Sequence, residues 1–266
     1  MSYLVELAFI GGIPLLVFVG GFAPAALNAV LTVHSDSITL GALFGHWLVH
    51  FSRLGATQNA VGLVTAGLFA GGLALAQGDS RWFRFSYATL LVVVPVATVV
   101  VDALVLPMLL GGAYRTRGAS AIVAAVLGIG FAAVVRYVCR SVDVRGAVTA
   151  GGVVIVGSLL VVLDRSGVGD RPIALLGSLL AVVVMGDVVA RIRAKGQLQI
   201  STGALTVWLV ILVSSIVLAT AFVFLFPANP FAGPTITNVL SHASGFVGGT
   251  VIGVWGYRYW AADSWW

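Results

Sequence analysis

Long runs of apolar residues, each about 20 residues in length, follow one another along this chain with short polar interruptions between them. A run of that length crosses a bilayer core roughly 30 Å thick as a helix. The runs are continuous in Val, Leu, Ala and Gly, and they lack the alternation of apolar and polar residues that membrane β-barrels show. The pattern predicts an all-α, polytopic membrane helical bundle with eight transmembrane helices, at 5–33, 54–77, 86–110, 119–138, 147–163, 173–190, 204–226 and 236–257.

Composition agrees with an integral membrane protein, because 60% of the 266 residues are hydrophobic and only 9% are charged. Soluble globular chains carry about 25% charged residues. No soluble domain or linker interrupts the pattern, so we expect a single membrane domain over 1–266. The first run is expected to be a retained span, since the N-terminus before it has no basic residue and Glu6 is acidic. The lone Cys139 excludes an intramolecular disulfide and a multi-cysteine metal site.

The basic residues indicate orientation rather than a nucleic-acid partner, because the net charge of +5 is scattered over helix ends and forms no stripe. With both termini in the cytoplasm, inside loops contain nine of the 14 basic residues, which matches the known excess of Lys and Arg there. The nine are Arg81, Arg84, Arg136, Arg140, Arg145, Arg191, Arg193, Lys195 and Arg258. We therefore expect a multi-pass protein of the cell membrane with cytoplasmic N- and C-termini.

Two polar residues stand out near the starts of apolar runs, Ser120 in the fourth and His242 about six residues into the eighth. Polar side chains at membrane depth are costly and are functional candidates by default. Both runs start on the outer side if the helix count between them is correct, so serine and histidine share a leaflet. A serine becomes a nucleophile when an adjacent base takes its proton. The second run starts in the same layer with His50 and Asn59, and an asparagine amide is a suitable oxyanion donor.

These residues resemble the rhomboid family of intramembrane serine proteases through three motifs. The family's GxSG motif is matched at the glycine and the serine by Gly118-Ala119-Ser120-Ala121. The family's last helix has a histidine followed by glycines at three and seven positions, as in His242, Gly245 and Gly249. Its second helix has a histidine nine residues before an oxyanion asparagine, and His50 with Asn59 reproduces that spacing.

The resemblance implies a Ser-His dyad with Ser120 as nucleophile and His242 as general base. It also implies that Asn59 and the Gly118 region bind the oxyanion or substrate, with His50 shaping the site. Transmembrane proteins in the lipid bilayer are the implied substrates, and no metal or cofactor is implied. The resemblance covers 40–138 and 236–257, so the fold would be a six-helix rhomboid-like core plus an extra helical pair within the unmatched stretch 147–226.

The chain departs from the family's pattern at several places. Gly55 stands where many rhomboids have a second oxyanion histidine, so one donor is missing. Ala121 replaces the glycine after the serine, which is expected to crowd the helix contact. The loop 34–38 is predicted to be too short for the family's long membrane-embedded first loop. Three helices rather than one lie between Ser120 and His242.

Other polar residues have competing interpretations. Ser178 is a weaker nucleophile candidate because it lacks the GxS spacing. His46 and His50 are four residues apart, a spacing that places two imidazoles on one helical face for a metal, but no third ligand is convincing. Asp102, in the outer half of its span, is a candidate for a third member that orients His242. The simpler interpretation is a protonated or hydrogen-bonded structural aspartate.

Two other functions stay open. A catalytically inactive rhomboid-like protein would keep the fold and bind or escort membrane proteins. A small-molecule transporter would show inverted repeats and helices broken at midplane. Pro95 and Pro107 are predicted to break only the third span, without a matching partner elsewhere in the chain.

Overall fold

The computed structural model describes residues 4–110, 114–141, 202–225 and 238–260, and these residues are mostly helical. The helices, in chain order, are α1 (Leu4–Gly20), α2 (Ala25–Leu31), α3 (Leu40–Gly45), α4 (Arg53–Ala76), α5 (Ser80–Leu110), α6 (Ser120–Ser141), α7 (Thr202–Leu225) and α8 (Val239–Trp260). A π-helical turn at Ala8–Gly12 lies within α1, and a 3₁₀ turn at His46–Leu48 follows α3. Two short strands, β1 (Val33–His34) and β2 (Arg115–Thr116), pair in antiparallel fashion.

The all-α class is therefore shown, and α4, α5 and α6 are each long and apolar enough to cross a membrane. Helices α1 and α2 pass the same test only as a bent pair, so the described residues contain three or four candidate spans. Helices α7 and α8 occupy the positions of the predicted runs 204–226 and 236–257. The predicted helices 147–163 and 173–190 lie outside the described residues. The total of eight spans and the six-helix rhomboid-like core stay predictions.

The prediction of one continuous helix over 5–33 is wrong, because α1 ends at Gly20 and α2 leaves it at an angle of 114°, so that the pair is either a broken span or a re-entrant loop. Pro24 lies in the break, and a proline disfavours helical backbone in the residue before it. Residues 21–52 form a connection that contains two short helices, a strand and a 3₁₀ turn. The prediction of a short first loop at 34–38 is therefore also wrong. The apolar composition of this segment hid the break from hydropathy.

The prediction that prolines break the third span is wrong as well. Helix α5 runs from Ser80 to Leu110 with Pro95 and Pro107 inside it, and it begins six residues before the predicted start at 86. Membrane helices tolerate proline where neighbouring groups satisfy the freed backbone atoms. In the turn after Pro95 the Thr98 hydroxyl donates to the carbonyls of Val94 and Pro95 at 2.9 and 3.0 Å, whereas the carbonyl that Pro95 itself leaves without a helical donor is that of Leu91.

The chain divides into two compact units, one of 1–132 with 238–266 and one of 133–237. In the first unit α5 packs along α8, where the Trp82 ring stacks on Tyr257 with centroids 3.9 Å apart. The Trp82 indole N–H also donates to the Gly253 carbonyl at 2.8 Å. Helix α1 is joined to α5 by the buried Glu6, whose carboxylate lies 3.5 Å from Arg84 Nε. That residues 1–266 form a single domain stays a prediction.

The strand pair connects the segment before α6 to the long connection 21–52. Val33 pairs with Thr116, and His34 pairs with Arg115. The Tyr114 N–H donates to Ser35 Oγ, and the Ser35 N–H donates to the Tyr114 carbonyl, both at 3.1 Å. Because these bonds precede α6 by only a few residues, they hold the start of that helix against the connection.

Candidate functional site

Helices α6 and α8 pack with their backbones in direct contact. A Cβ atom added to Gly245 would overlap the Ala121 carbonyl oxygen, and one added to Gly249 would overlap the Ala125 carbonyl oxygen. In the opposite direction, a Cβ at Gly128 would overlap the Phe246 carbonyl oxygen. Small residues at helix interfaces permit this close approach in membrane proteins. The glycine spacing of α8 is therefore used for packing against the serine-bearing helix.

These contacts also give the direction and register of the two helices. Ala121 faces Gly245 and Ala125 faces Gly249, so the offset is constant at 124 positions and the helices run parallel. Ser120 is the first residue of α6, and His242 is the fourth of α8. With this offset His242 is level with residue 118, which is about 3 Å before Ser120 along the axes at 1.5 Å per residue. The structure thus places Ser120 and His242 in adjoining first turns at the same end of the pair.

His242 is buried, with 4% of its surface exposed. The sequence placed it about six residues into its helix, but α8 begins at Val239, so the histidine is only one turn from the helix start. The predicted depth within the helix is therefore wrong. The physical reason is that Asn238 caps the helix at this point, because its Oδ1 accepts from the Ser241 N–H at 3.1 Å.

The backbone just before Ser120 has a glycine-specific conformation. Gly118 has φ of +122°, which lies in a region that side-chain-bearing residues rarely adopt. Its N–H donates to the His46 carbonyl at 3.0 Å. A Cβ on Gly118 would also meet the His50 ring at 3.6 Å and the Asn59 amide at 3.8 Å. The structure therefore brings Gly118, His50 and Asn59 together at the start of α6.

His50 is the acceptor at the centre of this group. The Ala119 N–H donates to His50 Nε2 at 3.2 Å, so that nitrogen carries no proton. Asn59 Nδ2, 2.9 Å from the same nitrogen, is consequently the donor in that bond. The imidazole is 8% exposed and neutral in this arrangement, with its proton on Nδ1. His50 thus ties α4, through Asn59, to the turn that presents Ser120.

His46 has a structural position. Its Nδ1 lies 3.0 Å from the Ala42 carbonyl, and its own carbonyl accepts from Gly118. The idea that His46 and His50 share one helical face is wrong, because the 3₁₀ turn ends at Leu48 and Val49 is extended. Within the described ranges no three His, Cys, Asp or Glu side chains form a group able to hold a metal ion.

Arg117, which the sequence did not single out, bonds the segment before Ser120 to residues of the connection 21–52. Its guanidinium lies 4.0 Å from the centre of the Phe51 ring. It also donates to Asn28 Oδ1 and Thr32 Oγ1, at 3.4 Å each. Cation–π contacts of this kind are worth about 0.5–2 kcal/mol, depending on solvation. Arg117 therefore holds α2 near the segment that leads to Ser120.

Asp102 contacts the first turn of α8. Its carboxylate accepts from Ser241 Oγ at 2.9 and 3.0 Å and from Asn238 Nδ2 at 2.7 Å. The sequence identified Asp102 as a polar residue near His242 but did not identify these two partners. A signal for the cap was present, because Asn238 stands immediately before Val239 and Leu240 at the start of an apolar run, which is a helix-capping pattern.

Two departures from the rhomboid pattern have clear structural consequences. Gly55 donates its N–H to Ser52 Oγ at 3.0 Å, and among the described residues an added Cβ would meet only that hydroxyl, at 3.3 Å. A Cβ there requires the Ser52 side chain to shift by a few tenths of an ångström. At Ala121 the facing residue of α8 is Gly245, which lies directly against the Ala121 backbone.

Comparison with known proteins identifies no relative: no family model, no curated protein and no solved structure matches the chain. The case for a function therefore rests on the residues and their geometry.

The His50 environment predicts a pH-dependent stability. Burial, together with the nearby positive charge of Arg117, lowers the pKa of His50 from 6.5 to about 4, and this residue lies outside the candidate spans. The unfolded chain thus binds the proton first as pH falls. Stability from neutral His50 is complete above pH 6.5 and is lost as pH falls to about 4. Each pH unit in that window lowers the unfolding free energy by up to about 1.4 kcal/mol.

His50→Gln provides the matched variant, since a glutamine oxygen accepts hydrogen bonds near the Nε2 position and does not titrate. Unfolding in mixed micelles, followed from pH 7 to pH 4, is expected to show a steeper loss for the wild type than for His50→Gln. Parallel pH curves for the two proteins would show that His50 does not carry this effect.

Proposed function

We propose that this chain is a rhomboid-like intramembrane serine protease that hydrolyses a peptide bond in or near a transmembrane segment of another protein. The observation that carries the proposal is the parallel register of α6 and α8, which puts Ser120 and His242 in adjoining first turns. The same end of α6 holds Gly118, His50 and Asn59 in contact distance. A nucleophile, a base and amide donors at one end of a bundle are the parts that acyl transfer requires.

In the proposed reaction His242 takes the hydroxyl proton of Ser120 as Oγ attacks the scissile carbonyl carbon. The resulting oxyanion accepts from the Ser120 backbone N–H and from Asn59 Nδ2, which has a second hydrogen besides the one given to His50. The imidazolium then protonates the leaving nitrogen as the C–N bond breaks. Water, deprotonated by His242, hydrolyses the acyl-enzyme and restores Ser120. The scheme requires no metal or cofactor.

The long connection 21–52 supports this proposal. The rhomboid resemblance implies a long membrane-embedded first loop, and the sequence alone predicted one that was too short. Helix α2, the strand β1 and helix α3 all lie in this long connection between α1 and α4. Its bonds to residues 114–118 put it beside the start of α6.

By the same resemblance, the substrates are single-span proteins with helix-destabilising residues near the outer membrane boundary. A stable helix shields its carbonyls in intrahelical hydrogen bonds, so a locally unwound segment is the accessible target. The proposed orientation has the Ser120 end at the outer face of the cell membrane and both termini in the cytoplasm. Water then reaches Ser120 from the outer side.

The test is cleavage of a fluorescent transmembrane-segment reporter in proteoliposomes by wild type and by Ser120→Ala, prepared identically. A fluorophosphonate probe, followed by mass spectrometry of the labelled peptide, identifies the nucleophile independently of the reporter. We expect wild-type cleavage, no cleavage by Ser120→Ala, and label on Ser120. Equal cleavage by both proteins, or label on another serine, would contradict the assignment.

One observation favours the second candidate, a catalytically inactive rhomboid-like protein that binds or escorts membrane proteins. The position of the second oxyanion histidine is Gly55, where the described residues place only Ser52 Oγ within reach of an added Cβ. Loss of one oxyanion donor typically lowers the rate about 10²–10³-fold. Folded wild type that neither cleaves several reporters nor takes the probe would favour this candidate.

The space at Gly55 predicts a gain of activity. Gly55 precedes Asn59 by one helical turn, so the two positions share a face of α4. Gly55→His is expected to add an oxyanion donor and to raise kcat about tenfold, a conservative part of what such a donor is worth. Gly55→Ala fills space without a donor and serves as the control. Equal rates for the histidine and alanine variants would show that this position does not face the reacting carbonyl.

A further inference from the structure

Asp102 lies at the point where α5 meets the first turn of α8, and it is almost completely buried, with 1% of its surface exposed. Its carboxylate accepts hydrogen bonds from two residues that start α8. Asn238 Nδ2 donates at 2.7 Å, and Ser241 Oγ donates at 2.9 Å to one oxygen and 3.0 Å to the other.

Asn238 in turn caps α8. Its Oδ1 accepts from the Ser241 N–H at 3.1 Å, and its backbone carbonyl accepts from the His242 N–H at 3.2 Å. The first N–H groups of a helix have no intrahelical partner and need such a cap. The Asn238 side-chain amide therefore caps the helix with its oxygen and donates to Asp102 with its nitrogen. Because Asn238 accepts from the N–H groups of Ser241 and His242, a bond that fixes Asn238 also fixes the backbone of these two residues.

We propose that Asp102, with Asn238 and Ser241, is a positioning residue that sets the first turn of α8 and thereby the location of His242 relative to Ser120. This inference rests on the proposed function, because it assigns a role in the proposed reaction. It differs from a triad acid. The carboxylate acts through the helix cap and the residue preceding the histidine, and no proton passes to it.

The expected effect follows from the tolerance of proton transfer to geometry. A base must lie within about 2.6–3.2 Å of the group whose proton it takes. A misplacement of about 1 Å lowers the rate about 10²-fold. Beyond its first turn, helix α8 packs against α6 through Gly245 and Gly249. Loss of the Asp102 bonds is therefore expected to free only the first turn, which contains His242, and to leave the remaining helix in place.

The decisive variants are Asp102→Asn and the exchange Asp102→Asn with Asn238→Asp. In the single variant only one acceptor oxygen remains at position 102, and it must serve both Asn238 Nδ2 and Ser241 Oγ while the new NH₂ group lies against the Ser241 hydroxyl, so the inter-helix bonds are weakened. In the exchange the new amide at position 102 donates to the new carboxylate at position 238, and aspartate is as good a helix cap as asparagine. Thr98→Val is the control, because the Thr98 hydroxyl bonds within α5, to the Val94 and Pro95 carbonyls.

Reporter cleavage gives the first readout. We expect Asp102→Asn to lower kcat about 10- to 100-fold with little change in KM, the exchange to recover to within about threefold of wild type, and Thr98→Val to behave as wild type. Ser241→Ala removes one of the two partners and is expected to lower kcat by a smaller factor. If Asp102→Asn does not fold, Ser241→Ala tests the same hydrogen bond between α5 and α8. Wild-type kcat in both Asp102→Asn and Ser241→Ala would overturn the proposal.

Hydrogen–deuterium exchange of the segment 238–245, measured in a Ser120→Ala background, gives a readout that needs no catalysis. Faster exchange in Asp102→Asn, restored in the exchange variant, is expected if the carboxylate holds the helix start. Restored protection with kcat still low would overturn the positioning role, because it would show that the charge at position 102 itself is needed. If the wild type cleaves no reporter, the proposed function fails, and unchanged exchange in Asp102→Asn separately overturns the anchoring of α8.

Discussion

Replacing His242 by glutamine is expected to lower reporter cleavage by on the order of 10³-fold or more, close to the loss caused by Ser120→Ala. Without a base the Ser120 hydroxyl keeps its proton, and a neutral alcohol is a weak nucleophile. Both residues lie in first turns of helices whose backbones touch, and the proposed reaction requires them to act together. The measurement is kcat/KM on the transmembrane reporter in proteoliposomes.

The double variant Ser120→Ala with His242→Gln makes this prediction sharper. Residues that act as one unit are strongly non-additive, so the double variant should be no slower than either single one. His34→Gln is the matched control, because His34 lies in β1 and its pairing with Arg115 is made by the backbone, which the substitution leaves in place. Multiplicative losses in the double variant would indicate that Ser120 and His242 act in separate steps or that neither belongs to the catalytic unit.

Gly249→Ala is expected to destabilise the protein by about 3 kcal/mol, the upper part of the range for overpacking a core. An added Cβ would overlap the Ala125 carbonyl oxygen, which belongs to the backbone of α6 and cannot rotate away. The two helices would have to separate, which would also draw His242 away from Ser120. The measurements are the unfolding free energy in mixed micelles and the activity of the folded fraction.

The neighbouring residue gives an unusually close control. Within the part of the chain that the structure describes, a Cβ added at Gly248 meets only Val94 Cγ2, at 3.7 Å, which is ordinary van der Waals contact. Gly248→Ala should therefore be neutral or stabilising by up to about 1 kcal/mol, since alanine is the better helix former. Similar unfolding free energies for the two alanine variants would show that the backbone contact between α6 and α8 is not tight.

Hydropathy predicted the long apolar helices well and the N-terminal segment badly. Helix α4 begins and ends within one residue of the predicted run 54–77, and α6 begins within one residue of 119. Helix α4 follows Ser52, which caps it by accepting from the Gly55 N–H, and α6 begins at a serine. The segment 21–52 is also rich in apolar residues, yet it turns at Pro24 and folds into short elements. Average hydropathy does not register such a turn, because it counts composition and not backbone direction.

For the candidate site as well, some features could be predicted from the sequence and others could not. The residue types and spacings of Ser120, His242, His50 and Asn59 are visible in the sequence, and the contacts among them are not. That the Ala119 N–H donates to His50 Nε2, for instance, depends on the positive φ of Gly118 and on a strand pair that joins segments far apart in the chain. Asp102 was readable as a buried carboxylate, but its bonds to Asn238 and Ser241 join residues 136 and 139 positions apart.

By itself the sequence determined that this protein is built from apolar helices, where most of those helices lie, and which polar side chains are candidates for chemistry. These are local properties, since a run of about 20 apolar residues gains free energy in a bilayer whatever its neighbours are. The tertiary structure alone decided that α6 and α8 run parallel in backbone contact, that residues 21–52 leave the first helix and return to the start of α6, and that Asp102 holds the cap of α8. Those features arise from packing and hydrogen bonds between residues distant in the chain, and no local pattern specifies which partner a buried polar group will find.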